Sequence, residues 1–103
     1  MITVTPQAAT QIRTSAVQSN ALGLPLRIAI QQKADGSFHY MMGFDDQQRD
    51  GDQTQNFGDF LVVLDVASQP LAQGMTLDFV ELDGTLEFIF INPNDPNHQP
   101  PQA

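Results

Sequence analysis

The stretch Thr76–Ile91 reads TLDFVELDGTLEFIFI, and its centre, Asp83-Gly84, decides the fold. Both residues tolerate the positive φ angles of a type I′ turn, so the pair predicts a two-residue hairpin joining two apolar runs. Such a turn sets the register: Leu82 opposite Thr85, Phe79 opposite Phe88, Leu77 opposite Phe90. One face then collects Leu77, Phe79, Leu86, Phe88 and Phe90, wide enough to seed a core. Cross-strand aromatic pairs of this kind add roughly 0.2–1 kcal/mol each over an Ala–Ala pair. The other face, with Asp78, Val80, Leu82, Glu87, Ile89 and Ile91, is mixed and predicts partial cover. Asn92-Pro93-Asn94 ends the second strand, because proline cannot donate to a ladder.

Upstream of the hairpin, Phe60–Leu64 is a continuous apolar run, as expected of a central strand covered on both faces. Asp65 then offers a cap for a short turn that Pro70 cuts or restarts. At the other end, Thr5-Pro6 opens a helix, with Thr5 as cap and Pro6 at the first helical position, where no N–H is needed. Ala9, Ile12, Ala16 and Leu22 give that helix a thin apolar stripe, so it belongs on the surface of a sheet and ends between Asn20 and Gly23. Leu26–Gln32 alternates, with Leu26, Ile28 and Ile30 inward and Arg27 and Gln31 outward. Phe38, Tyr40, Met42 and Phe44 alternate along the next strand. A strict two-residue turn at Asp35-Gly36 would set Ile30 against Met41 and put the two apolar faces on opposite sides, so a longer loop is expected.

Asp45–Asp59 is polar and acidic and reads as a solvated loop. A calcium loop with Gly51 in its sixth position fails at the third, which is Gln48, and at the twelfth, where Phe57 replaces the bidentate Glu. The chain closes on NPNDPNHQPPQA, whose prolines favour extended chain. The expected fold is mainly β, a sandwich of short strands with an N-terminal helix, over one domain at 1–94 and a flexible Pro-rich tail at 95–103.

Composition narrows the function. The chain has 103 residues, 12 Asp+Glu against four Lys+Arg, and a net charge of −8. That balance repels phosphate backbones and anionic lipid, which argues against nucleic-acid or membrane-surface binding and suits a basic protein partner. With no cysteine, disulfides and thiolate ligands are excluded. No apolar run spans a membrane and no signal peptide opens the chain, so the expected location is the cytoplasm.

Taken together, these segments resemble the A-type iron–sulfur carrier family, also called IscA-like or HesB-like, over about Ile2 to Asn94. The resemblance rests on Ile2-Thr3-Val4-Thr5 before an Ala-rich helix, Leu26-Arg27-Ile28, Tyr40, and Phe44-Asp45. Gly74-x-x-Leu77-Asp78-Phe79-Val80 and Phe88-x-Phe90-x-Asn92-Pro93-Asn94 complete it. It implies a compact β-sandwich with a flanking helix. It also implies three cysteines, one in a G-C-S-G loop and two in a C-terminal C-x-C, but the matching positions hold Asp35, Gln99 and Pro101. Cluster iron needs soft sulfur ligands, so cluster carriage by the family mechanism is unavailable and no cofactor is expected.

Asp35-Gly36-Ser37, Met42-Gly43-Phe44-Asp45-Asp46 and the Asn92-Pro93-x-Asp95-Pro96 tail resemble the cysteine-free, DsrR-like branch. That resemblance implies an accessory or regulatory role in bacterial sulfur oxidation or iron–sulfur biogenesis. The expected activity is non-enzymatic, through protein partners of those machineries, as monomer or weak dimer. The expected interaction surface is Asp35, Gly36, Ser37, His39, Asp45 and Asp46. The alternative is a mononuclear iron site built from Asp35, His39, Tyr40 and His98, since the family geometry brings loop and tail together. A nucleophile–base reading of Asp35, Ser37 and His39 lacks an oxyanion donor and a buried orienting acid.

Overall fold

The computed structural model describes residues 1–96. Nine elements follow one another: β1 (Thr3–Val4), α1 (Pro6–Gln18), β2 (Leu26–Gln32), β3 (Phe38–Phe44), β4 (Gln53–Asn56), β5 (Leu61–Leu64), a 3₁₀ turn (Pro70–Ala72), β6 (Thr76–Leu82) and β7 (Thr85–Ile91). They build two mixed sheets, ordered β1-β6-β7 and β3-β2-β5-β4. The fold is mainly β with one N-terminal helix, as the sequence led us to expect.

The β6–β7 hairpin has the register that Asp83-Gly84 dictates, with Leu82 on Thr85, Phe79 on Phe88 and Leu77 on Phe90. Asp83 and Gly84 take φ of 52° and 82°, the left-handed pair a type I′ turn needs. The two phenylalanine rings of the Phe79–Phe88 pair tilt at 4.8 Å. Its apolar face narrows toward the tip, however. Leu77 is fully buried, Phe79, Phe88 and Phe90 are half-buried, and Leu86 is 62% exposed because no element reaches that far along the hairpin. Phe88→Ala should therefore cost about 2 kcal/mol, short of the about 3–5 kcal/mol of a fully enclosed phenylalanine. Denaturant unfolding at constant m reads that difference.

The β2–β3 loop is longer than two residues. Lys33 N donates to Ser37 O at 2.8 Å, leaving Ala34, Asp35 and Gly36 at the tip, with Gly36 at φ 88°. Ile30 then meets Tyr40 and Ile28 meets Met42, so both strands turn their apolar faces inward. β5 sits between β2 and β4 and is covered on both sides, with Val62, Val63 and Leu64 all buried. Leu26, Ile28, Ile30, Val62 and Leu64 face Leu77 and Met75 across the core. Tyr40 of β3 stacks on Phe90 of β7 at 4.5 Å, so the sheets also meet at that side.

Thr5 caps α1 by accepting from Ala8 N at 3.1 Å, and its hydroxyl donates to Asp78 Oδ1 at 2.6 Å, pinning the helix start to β6. The buried stripe is Ala8, Ile12 and Ala16, with Ala9 only half-buried. Leu22 stands outside it, 73% exposed, because the helix ends at Gln18 in a Schellman-type closure with Asn20 at φ 53°.

One further expectation is corrected. The acidic stretch is not all loop: Gln53–Asn56 forms β4, whose ladder with β5 outweighs the weak strand propensity of Gln and Asn. Gln55 also exchanges bonds with the backbone of Ile2, at 3.1 and 2.8 Å, joining the sheets. Thr3–Val4, for which the sequence offered no secondary-structure reading, is β1, paired parallel with β6, and is too short to show a period.

Candidate functional site

The three-residue tip at Ala34–Gly36 closes on itself. Asp35 Oδ1 accepts from Ser37 N at 3.0 Å and Ser37 Oγ at 2.6 Å. The Ser37 hydroxyl, then its backbone N–H, hold the Asp35 carboxyl below its ordinary range. Along β3 the side chains alternate, so Tyr40 faces the core and His39 is exposed on the opposite face.

Tyr40 is the centre of a second cluster. Its hydroxyl donates to Asp95 Oδ2 at 2.7 Å and accepts from Asn92 Nδ2 at 3.3 Å. Asn92, 1% exposed, also donates to Leu71 O at 2.8 Å and accepts from Asn94 N at 3.0 Å. Asn94 Nδ2 in turn reaches Gln73 O at 2.8 Å and Leu71 O at 3.2 Å. These bonds fix the chain after β7 against the 3₁₀ turn and hold Asp95 at β3. Burial, and then the bond to Asp95, push the Tyr40 hydroxyl far above its usual pKa, so it stays protonated at neutral pH.

The proposed ligand residues are thus divided. Asp35 is engaged in its own loop, His39 lies on the outer face, Tyr40 is committed to Asp95 and Asn92, and His98 lies outside the described residues. Gln99 and Pro101 lie outside them too. Among the described residues no group of three His, Cys, Asp or Glu is placed to hold a metal ion. Of the expected interaction residues, Asp35, Gly36, Ser37 and His39 sit at the start of β3 and Asp45 and Asp46 just past its end. Roughly 20 Å of strand separates the two groups.

Sequence reasoning missed what the acidic stretch does. Arg27, read as outward-facing, is 8% exposed. It makes a forked pair with Asp52, 3.1 Å to Oδ1 and 2.6 Å to Oδ2, and donates to Gln47 O at 2.8 Å. Asp45 Oδ2 lies 3.4 Å from its Nε. A lone arginine in an apolar strand followed by an aspartate-rich segment was the available signal. The loop is strapped over the outer face of β2, which is also why Val63 is buried.

The cluster that A-type carriers handle finds no thiolate here, since the chain has no cysteine. At the loop position only the oxygens of Asp35 are offered. These donors do not suit an iron–sulfur cluster.

The family model for iron-sulphur cluster biosynthesis matches residues 1–98. The chain belongs to this HesB/IscA family, as a member without cysteine. Among its relatives, the y4vC protein of Sinorhizobium fredii is 38% identical over 94 residues, which are 91% of this chain and 89% of that protein. The crystal structure of Escherichia coli SufA, involved in biosynthesis of iron-sulfur clusters, superposes with a TM-score of 0.77 at 22% identity. That match covers 96% of this chain and 86% of SufA. The crystal structure of IscA with the [2Fe-2S] cluster gives a TM-score of 0.75 at 21% identity, over 90% of this chain and 86% of IscA. At those identities the likeness concerns the fold. Among the described residues no helix is long and apolar enough to cross a membrane.

Proposed function

We propose that this chain is an accessory or regulatory member of the iron–sulfur biogenesis family that carries no cluster and acts by binding other proteins. The observation that carries this reading is the absence of any cysteine from a chain that keeps the family fold; the resemblance matches the family's thiolate positions to Asp35, Gln99 and Pro101. Such a scaffold retains its docking faces after losing its cargo chemistry. The DsrR-like pattern of the cysteine-free segments favours partners in bacterial sulfur oxidation, or otherwise in iron–sulfur assembly, working in the cytoplasm. The net charge of −8 supports a basic protein partner over nucleic acid. A mononuclear iron role is less well supported, because Asp35, His39 and Tyr40 do not converge.

Anaerobic reconstitution of the untagged chain with iron and sulfide tests this reading. The expected result is no stable cluster and no visible charge-transfer band after desalting. A stoichiometric, stable cluster on the native sequence would overturn it.

A further inference from the structure

β7 is the outer edge of its sheet: among the described residues its one ladder is with β6. The pair flanking a two-residue hairpin turn exchanges both hydrogen bonds, and bonded and non-bonded pairs then alternate along the strands. Thr85, Glu87, Ile89 and Ile91 accordingly turn their backbone groups to β6, and Leu86, Phe88 and Phe90 turn theirs outward. Among the described residues these outward groups meet no hydrogen-bond partner.

Proteins usually guard such an edge with lysine, proline or a bulge. Thr76–Ile91 contains no Lys, Arg, His or Pro, and its ladder runs unbroken over seven pairs. It carries Asp78, Glu81, Asp83 and Glu87 instead, and leaves Leu82 44% and Leu86 62% exposed. Beside the edge, half-buried Phe88 lines the mouth of a cleft of about 200 Å³ with Ile12, Met42 and Phe44.

We infer that the outer edge of β7 docks an extended segment of a basic partner protein, which adds to the sheet as a fourth strand. This deepens the partner-binding reading above and rests on it. The outward N–H and C=O groups of Leu86, Phe88 and Phe90 supply the ladder, and alternating side chains supply the selectivity. On the inner face the partner presents apolar residues beside Phe88 and Phe90, closing the cleft. On the outer face it presents Lys or Arg beside Glu87, which pairs with Val80 there. A second copy is the wrong occupant, because it would bring two cation-free hairpins together on chains of −8 each. Residues 97–103 of the chain itself are unsuited, since Pro100 and Pro101 have no N–H and the segment has no large apolar side chain.

The test is an NMR titration of the full ¹⁵N-labelled chain with a short peptide alternating valine and lysine. The Leu86, Phe88 and Phe90 amides should shift and their exchange should slow, while a valine–glutamate peptide leaves them unchanged. Leu86→Pro removes an outward N–H without touching the β6 ladder and should weaken binding about tenfold. Retained β6–β7 cross-strand contacts show that this variant is folded, and Glu87→Lys should reverse the preference to the glutamate peptide. No binding of the lysine peptide, equal binding of both peptides, or shifts confined to other strands would overturn the assignment. So would protection of these amides that rises with protein concentration alone, which gives the edge to a second copy. Failure here leaves the cluster-free reading standing, whereas a cluster on the native chain would sink that reading and leave these amide results intact.

Discussion

Asp35→Cys, Gln99→Cys and Pro101→Cys, made together, are expected to give a chain that takes up a cluster, where none is expected on the native sequence. The resemblance matches these three positions to the family's thiolates, and soft sulfur is the ligand chemistry that cluster iron requires. Asp35 is exposed, and its carboxylate bonds only within its own loop, so its replacement leaves the core and both ladders alone. Pro101→Cys restores a backbone N–H and frees φ in that segment. Three thiolates per chain fall short of the usual four, so a second subunit or an exogenous thiol completes the set. Anaerobic reconstitution should give visible charge-transfer absorption in the triple variant alone, and the single Asp35→Cys variant should stay colourless. A folded triple variant without absorption would place the decisive change in the geometry of loop and tail instead of in the ligands.

Arg27→Met is expected to be the most destabilising single change on the surface of β2, at roughly 3 kcal/mol. Methionine keeps the apolar stem but leaves Asp52 and Asp45 facing each other without the guanidinium, and orphans Gln47 O. Adding Asp52→Asn should recover part of the loss, because it removes the uncompensated charge. Amides of residues 45–52 should exchange faster in Arg27→Met, while those of β6 and β7 keep their protection. The pH dependence follows from the same pair. The hydrogen bond from Arg27, then the Arg49 backbone N–H, hold Asp52 at about 2. A carboxyl depressed in the folded state stabilises above its unfolded pKa of about 3.9, and that contribution is lost as pH falls toward about 2. Denaturant midpoints measured from neutral pH downward should show this acid limb in the native chain and a flatter one in Arg27→Met.

What the sequence made legible was whatever local chemistry decides alone. Asp83-Gly84 fixed a hairpin register to the residue, Thr5-Pro6 located the helix start, and the clash of faces at Asp35-Gly36 forced the longer loop. Non-local partners stayed hidden. Gln53–Asn56 became a strand because β5 offers it a ladder, and Thr3–Val4 because β6 does. Arg27 had the right alternation to face outward, and only the loop folded over it made that face an interior. At the candidate site, the absence of cysteine was plain from residue identities, while the binding of Tyr40 to Asn92 and Asp95 depends on a chain reversal that no spacing rule encodes.

The parallel pairing of β1 with β6 also dictates when the fold can form. Thr5 and Asp78, which lock the helix start to the sheet, are 73 residues apart, and the β1 register depends on the same neighbourhood. On a ribosome, Ile2 and the inner face of α1 therefore emerge long before the strand that covers them. The hairpin closes by local contacts within microseconds of release, whereas closing a loop of this length carries a large entropic cost and slows the final docking. Until then the amino-terminal apolar stripe is open to chaperones and to misassembly, and the last quarter of the chain acts as the trigger that sets the whole domain.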